Sequence, residues 1–146
     1  MISTEKRLRL CSVLLIANLI FIWGNSLLPG EISGAFSNWV KSILAALLGM
    51  DGSGSGGGLL RKIAHFTEFA ALGACLTWRM GMLKKHYGRA LAFGAAAACV
   101  DETIQRFVPD RGPSIRDVCI DTCGVVTGML FLLFGHYLVK RKFGGK

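Results

Sequence analysis

Residues 101–128, DETIQRFVPDRGPSIRDVCIDTCGVVTG, place eight charged side chains between two apolar runs. In a water-soluble domain this would be a polar loop with its flanks. In a chain that is 52 % apolar it is the stretch that decides how the rest can be arranged. Ser114-Ile115-Arg116-Asp117 reads as a helix start, with Ser114 as N-cap, Asp117 as its capping-box partner and Pro113 just before it. From there Asp117, Asp121, Gly124 and Gly128 recur at spacings of four, three and four, so they share one helix face. That face is acidic near its start and small-residued deeper in. Upstream, Asp101 and Gln105 are four apart, with Glu102 beside them. Two helices are therefore predicted to meet at Val108–Pro113, each with a polar face close to the turn.

So much apolar surface exceeds what a 146-residue soluble domain buries, whereas a small helical membrane bundle requires it. A span takes roughly 20 mostly apolar residues. Segments 8–28, 59–78, 89–107 and 114–139 meet that length. The reading is all-α: one polytopic membrane domain over 1–146, with four transmembrane helices and an outer loop at 29–58. Three places hold 11 of the 17 basic residues and only one acid, Glu5. They are Glu5–Arg9, Arg79–Arg89 and Lys140–Lys146. The positive-inside rule puts those places, and both termini, in the cytoplasm. The basic residues form no single stripe, so nucleic-acid binding is excluded as a reading. The five cysteines all fall within the spans, and an odd count there argues for free thiols.

The N-terminus begins like a signal peptide, but WGNSLLPG is a poor cleavage site, and the segment is read as a retained helix. Asn25 and Ser26 sit at its outer end, level with the polar stretch. After Pro29-Gly30, an apolar stripe of Phe36, Trp39, Val40, Ile43, Leu44, Leu47 and Leu48 opposes Ser37, Asn38, Lys41 and Ser42. This segment is predicted as an amphipathic helix lying on the outer membrane interface. Residues 52–58 form a glycine-serine linker. Beyond it, Arg61, His65, Glu68, Leu72 and Cys75 line one face, with Lys62 at its edge. Glu68 lies roughly 14 Å along that helix from Leu59. A carboxylate at such depth costs about 2.5–3.5 kcal/mol or more unless paired or wet.

The combination KIAHFTEFAALG followed by DETIQRFVPDRGPSIRDVCIDTCGVVTG closely resembles the VanZ-like membrane proteins, and WGNSLLPGEISGAFSNWV is similar to the family's outer segment. The matching motifs cover about two-thirds of the chain. The resemblance implies a four-helix bacterial membrane protein that lowers susceptibility to lipoglycopeptides such as teicoplanin. It marks Lys62, His65, Glu68, Asp101, Glu102, Gln105, Arg111, Asp117 and Asp121 as family-typical positions. The glycine-serine linker is the main departure from the pattern.

The residues themselves suggest a chemistry. His65, Glu68, Asp101, Glu102, Asp117 and Asp121 are candidate acid–base groups, tuned by burial and by one another. Lys62, Gln105, Arg111, Arg116 and Asn25 are candidate ligand-binding groups, the arginines suiting a phosphate or carboxylate. No metal is assigned. His65-x-x-Glu68 reverses the Glu-x-x-His order of di-iron bundles, and Cys119 with Cys123 lacks a third ligand at matching spacing. No cofactor is specified. The expected partners are membrane lipids or a lipid-linked envelope precursor, with the lipoglycopeptide itself as another candidate. An outward-facing polar cavity would bind or act on them. Two rival readings stay open: an intramembrane transferase or hydrolase, and a non-catalytic protein that binds lipid or drug or is held in register by its own ion pairs. Ion passage is disfavoured by the Leu, Ala, Gly and Val of the inner helix halves.

Overall fold

The computed structural model describes residues 3–48 and 57–143. Five helices follow in order: α1 Thr4–Ser26, α2 Gly30–Leu48, α3 Gly57–Met82, α4 Gly88–Gln105 and α5 Ile115–Phe143. The linker lies outside the described residues except for Gly57 and Gly58, which open α3. Ser3 caps α1, its hydroxyl accepting from the Lys6 amide. Pro29 follows the end of α1 at Leu27, as expected where a chain cannot continue a helix.

α3 and α5 make the most extensive helix pair, with α1 and α4 packed against α3 and α4 also against α5. The core holds Ile22, Phe69, Leu72, Leu76, Ala98 and Val125. The small residues explain the closeness of the main seam. A Cβ on Gly124 would lie 2.5 Å from the Phe66 carbonyl oxygen, and one on Gly128 would overlap the Ala70 carbonyl. Gly73 of α3 meets the Val125 backbone in the same way. The small-residued end of the Asp117–Gly128 face, Gly124-xxx-Gly128, therefore packs directly on α3. The four-three-four face is visible in the burial pattern: Asp121, Gly124 and Gly128 are buried, and Asp117 is half-buried.

The outside of the bundle is apolar. Leu10, Val13, Ile16, Ile20 and Phe21 of α1 and Leu130, Phe131, Phe134 and Val139 of α5 are exposed. Only 11 % of the most apolar stretch of α1 is buried, and 22 % of that of α5. A core helix of a water-soluble protein would be mostly buried, so these faces suit lipid.

The expectation of four crossings is corrected here. Among the described residues, two helices are long and apolar enough to cross a membrane, Thr4–Ser26 and Ile115–Lys142. Helices do form at 59–78 and 89–107, but their composition sets them apart. α3 carries Arg61, Lys62, His65, Glu68 and Arg79, and the 18 residues of α4 include Arg89, Asp101 and Glu102. Both segments reach the length of a span and are mostly apolar, but the charges within them remove them from the set. α2 is helical as predicted and packs on α3. Ser37 is buried and Val40 half-buried, while Asn38, Trp39, Ser42 and Ile43 are exposed, so residues of both the polar and the apolar stripe lie on its open side. All five cysteines are free.

Candidate functional site

The polar side chains gather where α1 ends, α4 ends and α5 begins. α3 brings Arg61, Lys62, His65 and Glu68 to the same level. Asp101 is fully buried, and its Oδ2 accepts from Gln105 Nε2 at 2.8 Å. The i,i+4 spacing makes that bond local to α4. Gln105 Nε2 also donates to the buried Ser26 hydroxyl at 3.3 Å, tying α4 to α1. His65 Nδ1 lies 3.7 Å from Asp101 Oδ2. Glu68 accepts from Asn25 Nδ2 at 3.0 Å, which joins α3 to α1. Lys62 Nζ is 3.7 Å from Asp117 Oδ1.

Glu102 has a different role. Its Oε2 accepts the Ser114 amide at 2.8 Å, while the Ser114 hydroxyl accepts the Arg116 amide at 3.2 Å. Ser114 is thus the N-cap, as the sequence indicates. Its own N–H, however, is satisfied by a carboxylate from the preceding helix and not by Asp117, the expected capping-box partner. Asp117 is released for Lys62. Glu102→Gln keeps an acceptor oxygen for this amide, whereas Glu102→Ala leaves a terminal donor unmet, at about 0.5–2 kcal/mol for a lost cap. Chemical unfolding in detergent should therefore rank wild type and Glu102→Gln above Glu102→Ala; equal midpoints for the two variants would remove Glu102 from this role.

Arg111 is buried and reaches back to α1. Its Nε donates to the Leu28 carbonyl at 3.2 Å and its Nη2 to the Asn25 carbonyl at 2.9 Å. It is the cation at the C-terminal end of α1, where carbonyls lack intrahelical partners. Burial pulls its pKa below the ordinary guanidinium value and Arg61 adds to that, while Asp101, Glu102 and Glu68 oppose it. Arginine stays charged through such a shift. Nearby, Asp110 adopts a positive φ of 58° in the α4–α5 turn, a conformation more common for Asp than for most residues. The Gly30 amide donates to Pro109 at 3.2 Å, and a Cβ at Gly30 would overlap the Asp110 carbonyl.

Of the sequence-predicted residues, Asn25, Lys62, His65, Glu68, Asp101, Glu102, Gln105, Arg111, Asp117 and Asp121 lie in this assembly. Arg116 does not: its side chain is exposed and makes none of these contacts. Arg61 lines the site although it was not among the candidates; its position one turn before His65 on the same face was the available signal. The carbonyls of Asn25 and Leu28 had no signal at all, since main-chain acceptors carry no mark in a sequence.

The free space bounded by Arg61, Lys62, His65, Glu102, Gln105, Asp117, Ile120 and Asp121 is small, about 10 Å³. It holds one water-sized species. A larger apolar cleft of about 250 Å³ runs alongside, lined by Leu15, Leu19, Trp23, Leu72, Phe93 and Val100 among others. Trp23 and Val100 bring its upper end next to Asn25 and Asp101 in sequence. The arrangement as a whole is a compact set of acids, one imidazole and a few cations, with an acyl-sized cleft beside it. Neither a curated relative nor a solved structure matches the chain. The family does: from residue 9 to residue 136, most of its length, the chain matches VanZ/LLP1, and it belongs to that family.

Proposed function

We propose that this protein works in the outer leaflet of a bacterial cell membrane, where it lowers susceptibility to teicoplanin-like lipoglycopeptides by holding or altering an anionic lipid or lipid-linked envelope precursor. The observation that carries this reading is the polar cluster set beside an apolar cleft. A lipid needs both at once. α1 and α5 take the chain out and back; the basic residues at the start of α1 and the end of α5 keep both termini cytoplasmic. The cluster lies at the opposite, outer end. One acyl chain would lie in the cleft lined by Leu15, Leu19, Trp23, Leu72 and Phe93. Its headgroup would sit at the rim, against Lys62 and Arg61, because the interior has no room for more than a small species. His65, which lines that space, would exchange a proton with it, with Glu68 one turn further along α3 as its partner acid.

The test separates catalysis from binding. Glu68→Gln is isosteric and keeps an acceptor for Asn25, so the fold is retained. In a catalyst, Glu68→Gln or His65→Ala loses an acid or base, at 10²–10⁴-fold in rate by the usual range, and the resistance disappears while the protein stays in the membrane. In a binder, Glu68→Gln weakens resistance only in part. Drug titration in a susceptible Gram-positive host, with mass spectrometry of its lipids, reads both. Unchanged teicoplanin susceptibility and unchanged lipids on expression of the wild type would dispose of the envelope role.

A further inference from the structure

We infer that His65, Asp101 and Asp121 form a binding site for one first-row divalent cation, Zn²⁺ or Mn²⁺, that joins α3, α4 and α5. Each residue offers a ligand atom, and these atoms all lie within 4.8 Å of one another. Ligands about 2.1 Å from one ion stand at most about 4.2 Å apart, so side-chain rotation closes the remainder. The His65 Nδ1 to Asp101 Oδ2 distance of 3.7 Å is too long for a hydrogen bond. It is near the roughly 3.4 Å that separates two ligands of a tetrahedral ion.

The carboxylates are short of partners. Asp101 is 0 % exposed and Asp121 1 %. Both Asp121 oxygens and Asp101 Oδ1 are buried with no hydrogen-bond partner among the described residues. Among the described residues, no lysine or arginine forms an ion pair with either. Of the cations nearby, Lys62 is directed to Asp117 and Arg111 to main-chain carbonyls, while Arg61 lines the same space without an ion pair to either aspartate among the described residues. Gln105 already fixes Asp101 Oδ2, the kind of supporting bond that orients a metal ligand.

The space fits the charge. About 10 Å³ beside His65 and Asp121 accommodates an ion or a single water, and little else. One imidazole with two carboxylates suits Zn²⁺ or Mn²⁺; Ca²⁺ takes six to eight oxygens, and Mg²⁺ prefers an octahedral oxygen shell. The cation site stands whether or not the protein acts on envelope lipids, because it is read by metal content and not by drug response.

The test uses the full chain in detergent, purified without a histidine tag and stripped with chelator. ZnCl₂ or MnCl₂ is then added in equilibrium dialysis, bound metal is measured by mass spectrometry, and thermal melting is followed in parallel. The wild type should retain about one equivalent of one of these ions and melt at a higher temperature with it. Asp121→Asn and Asp101→Asn keep side-chain volume but remove the charge. Each should weaken binding by more than the roughly 10–100-fold that loss of a supporting partner costs, and abolish the metal-dependent gain in melting temperature. Cys119→Ser/Cys123→Ser should bind as wild type. A wild-type chain that takes up neither ion overturns the site, as does undiminished binding by both Asn variants or loss of binding in the cysteine double variant. If one Asn variant does not fold, the wild-type stoichiometry and the other variant still decide.

Discussion

Arg111→Ala should unfold in detergent at markedly lower denaturant than the wild type. Two charge-assisted bonds to the Asn25 and Leu28 carbonyls disappear, and such bonds are worth roughly 1.5–3 kcal/mol each. The carbonyls they serve close the end of α1, and no other side chain is bonded to them among the described contacts. Arg111→Lys keeps the charge but presents a single ammonium in place of a planar fork, and one ammonium does not span both acceptors as the guanidinium does. It should fall between Ala and the wild type. An Arg111→Ala chain with the wild-type midpoint would show that the corner is held by something other than this side chain. The expectation is sharper than a loss of headgroup affinity, because it does not require a ligand.

The second large effect lies at the other side of the cluster. Gly128→Leu places a Cβ on the Ala70 carbonyl, and backbone does not rotate aside as a side chain does. Overfilling a packed interface costs typically 1–3 kcal/mol, and a backbone clash belongs at or above the top of that range. α3 and α5 must part, and they carry His65 and Asp121 respectively, so the site should loosen with the seam. Gly135→Leu is the matched control on the same helix: nothing lies within 4 Å of a Cβ there. Comparable melting of Gly128→Leu and Gly135→Leu would mean that the seam is softer than its geometry implies.

The helices and this seam were legible because periodicity and small residues are local properties of a sequence. Asp117, Asp121, Gly124 and Gly128 could be placed on one face by counting alone. The site was legible in membership and less so in wiring. Asp117 stood where a capping-box partner belongs, yet Glu102 takes the Ser114 amide, since a helix end accepts any correctly placed acceptor and the turn brings one from the preceding helix. Arg111 suggested anion binding by its type; its bonds run to main-chain oxygens, which sequence patterns do not display. The three-residue cation site was hidden for another reason. Its ligands occupy one position on each of three helices, 36 and then 20 residues apart, so there is no local spacing to recognise. The crossing count failed differently: length and apolar flanks qualified α3 and α4, while the charges within them disqualified them.

The corner between α1 and the α4–α5 turn also governs how the chain is made. The acceptors on α1 precede Arg111 by 83 and 86 positions. At roughly 5–20 residues per second, a nascent α1 waits several seconds without the Arg111 bonds, its Asn25 carbonyl meeting only the local Leu28 amide, before its clasp leaves the ribosome. During that interval it depends on water or on the insertion machinery for hydrogen bonds. A product that stops short of residue 111 never acquires the clasp, so the first helix of the chain reports whether synthesis passed the turn before α5.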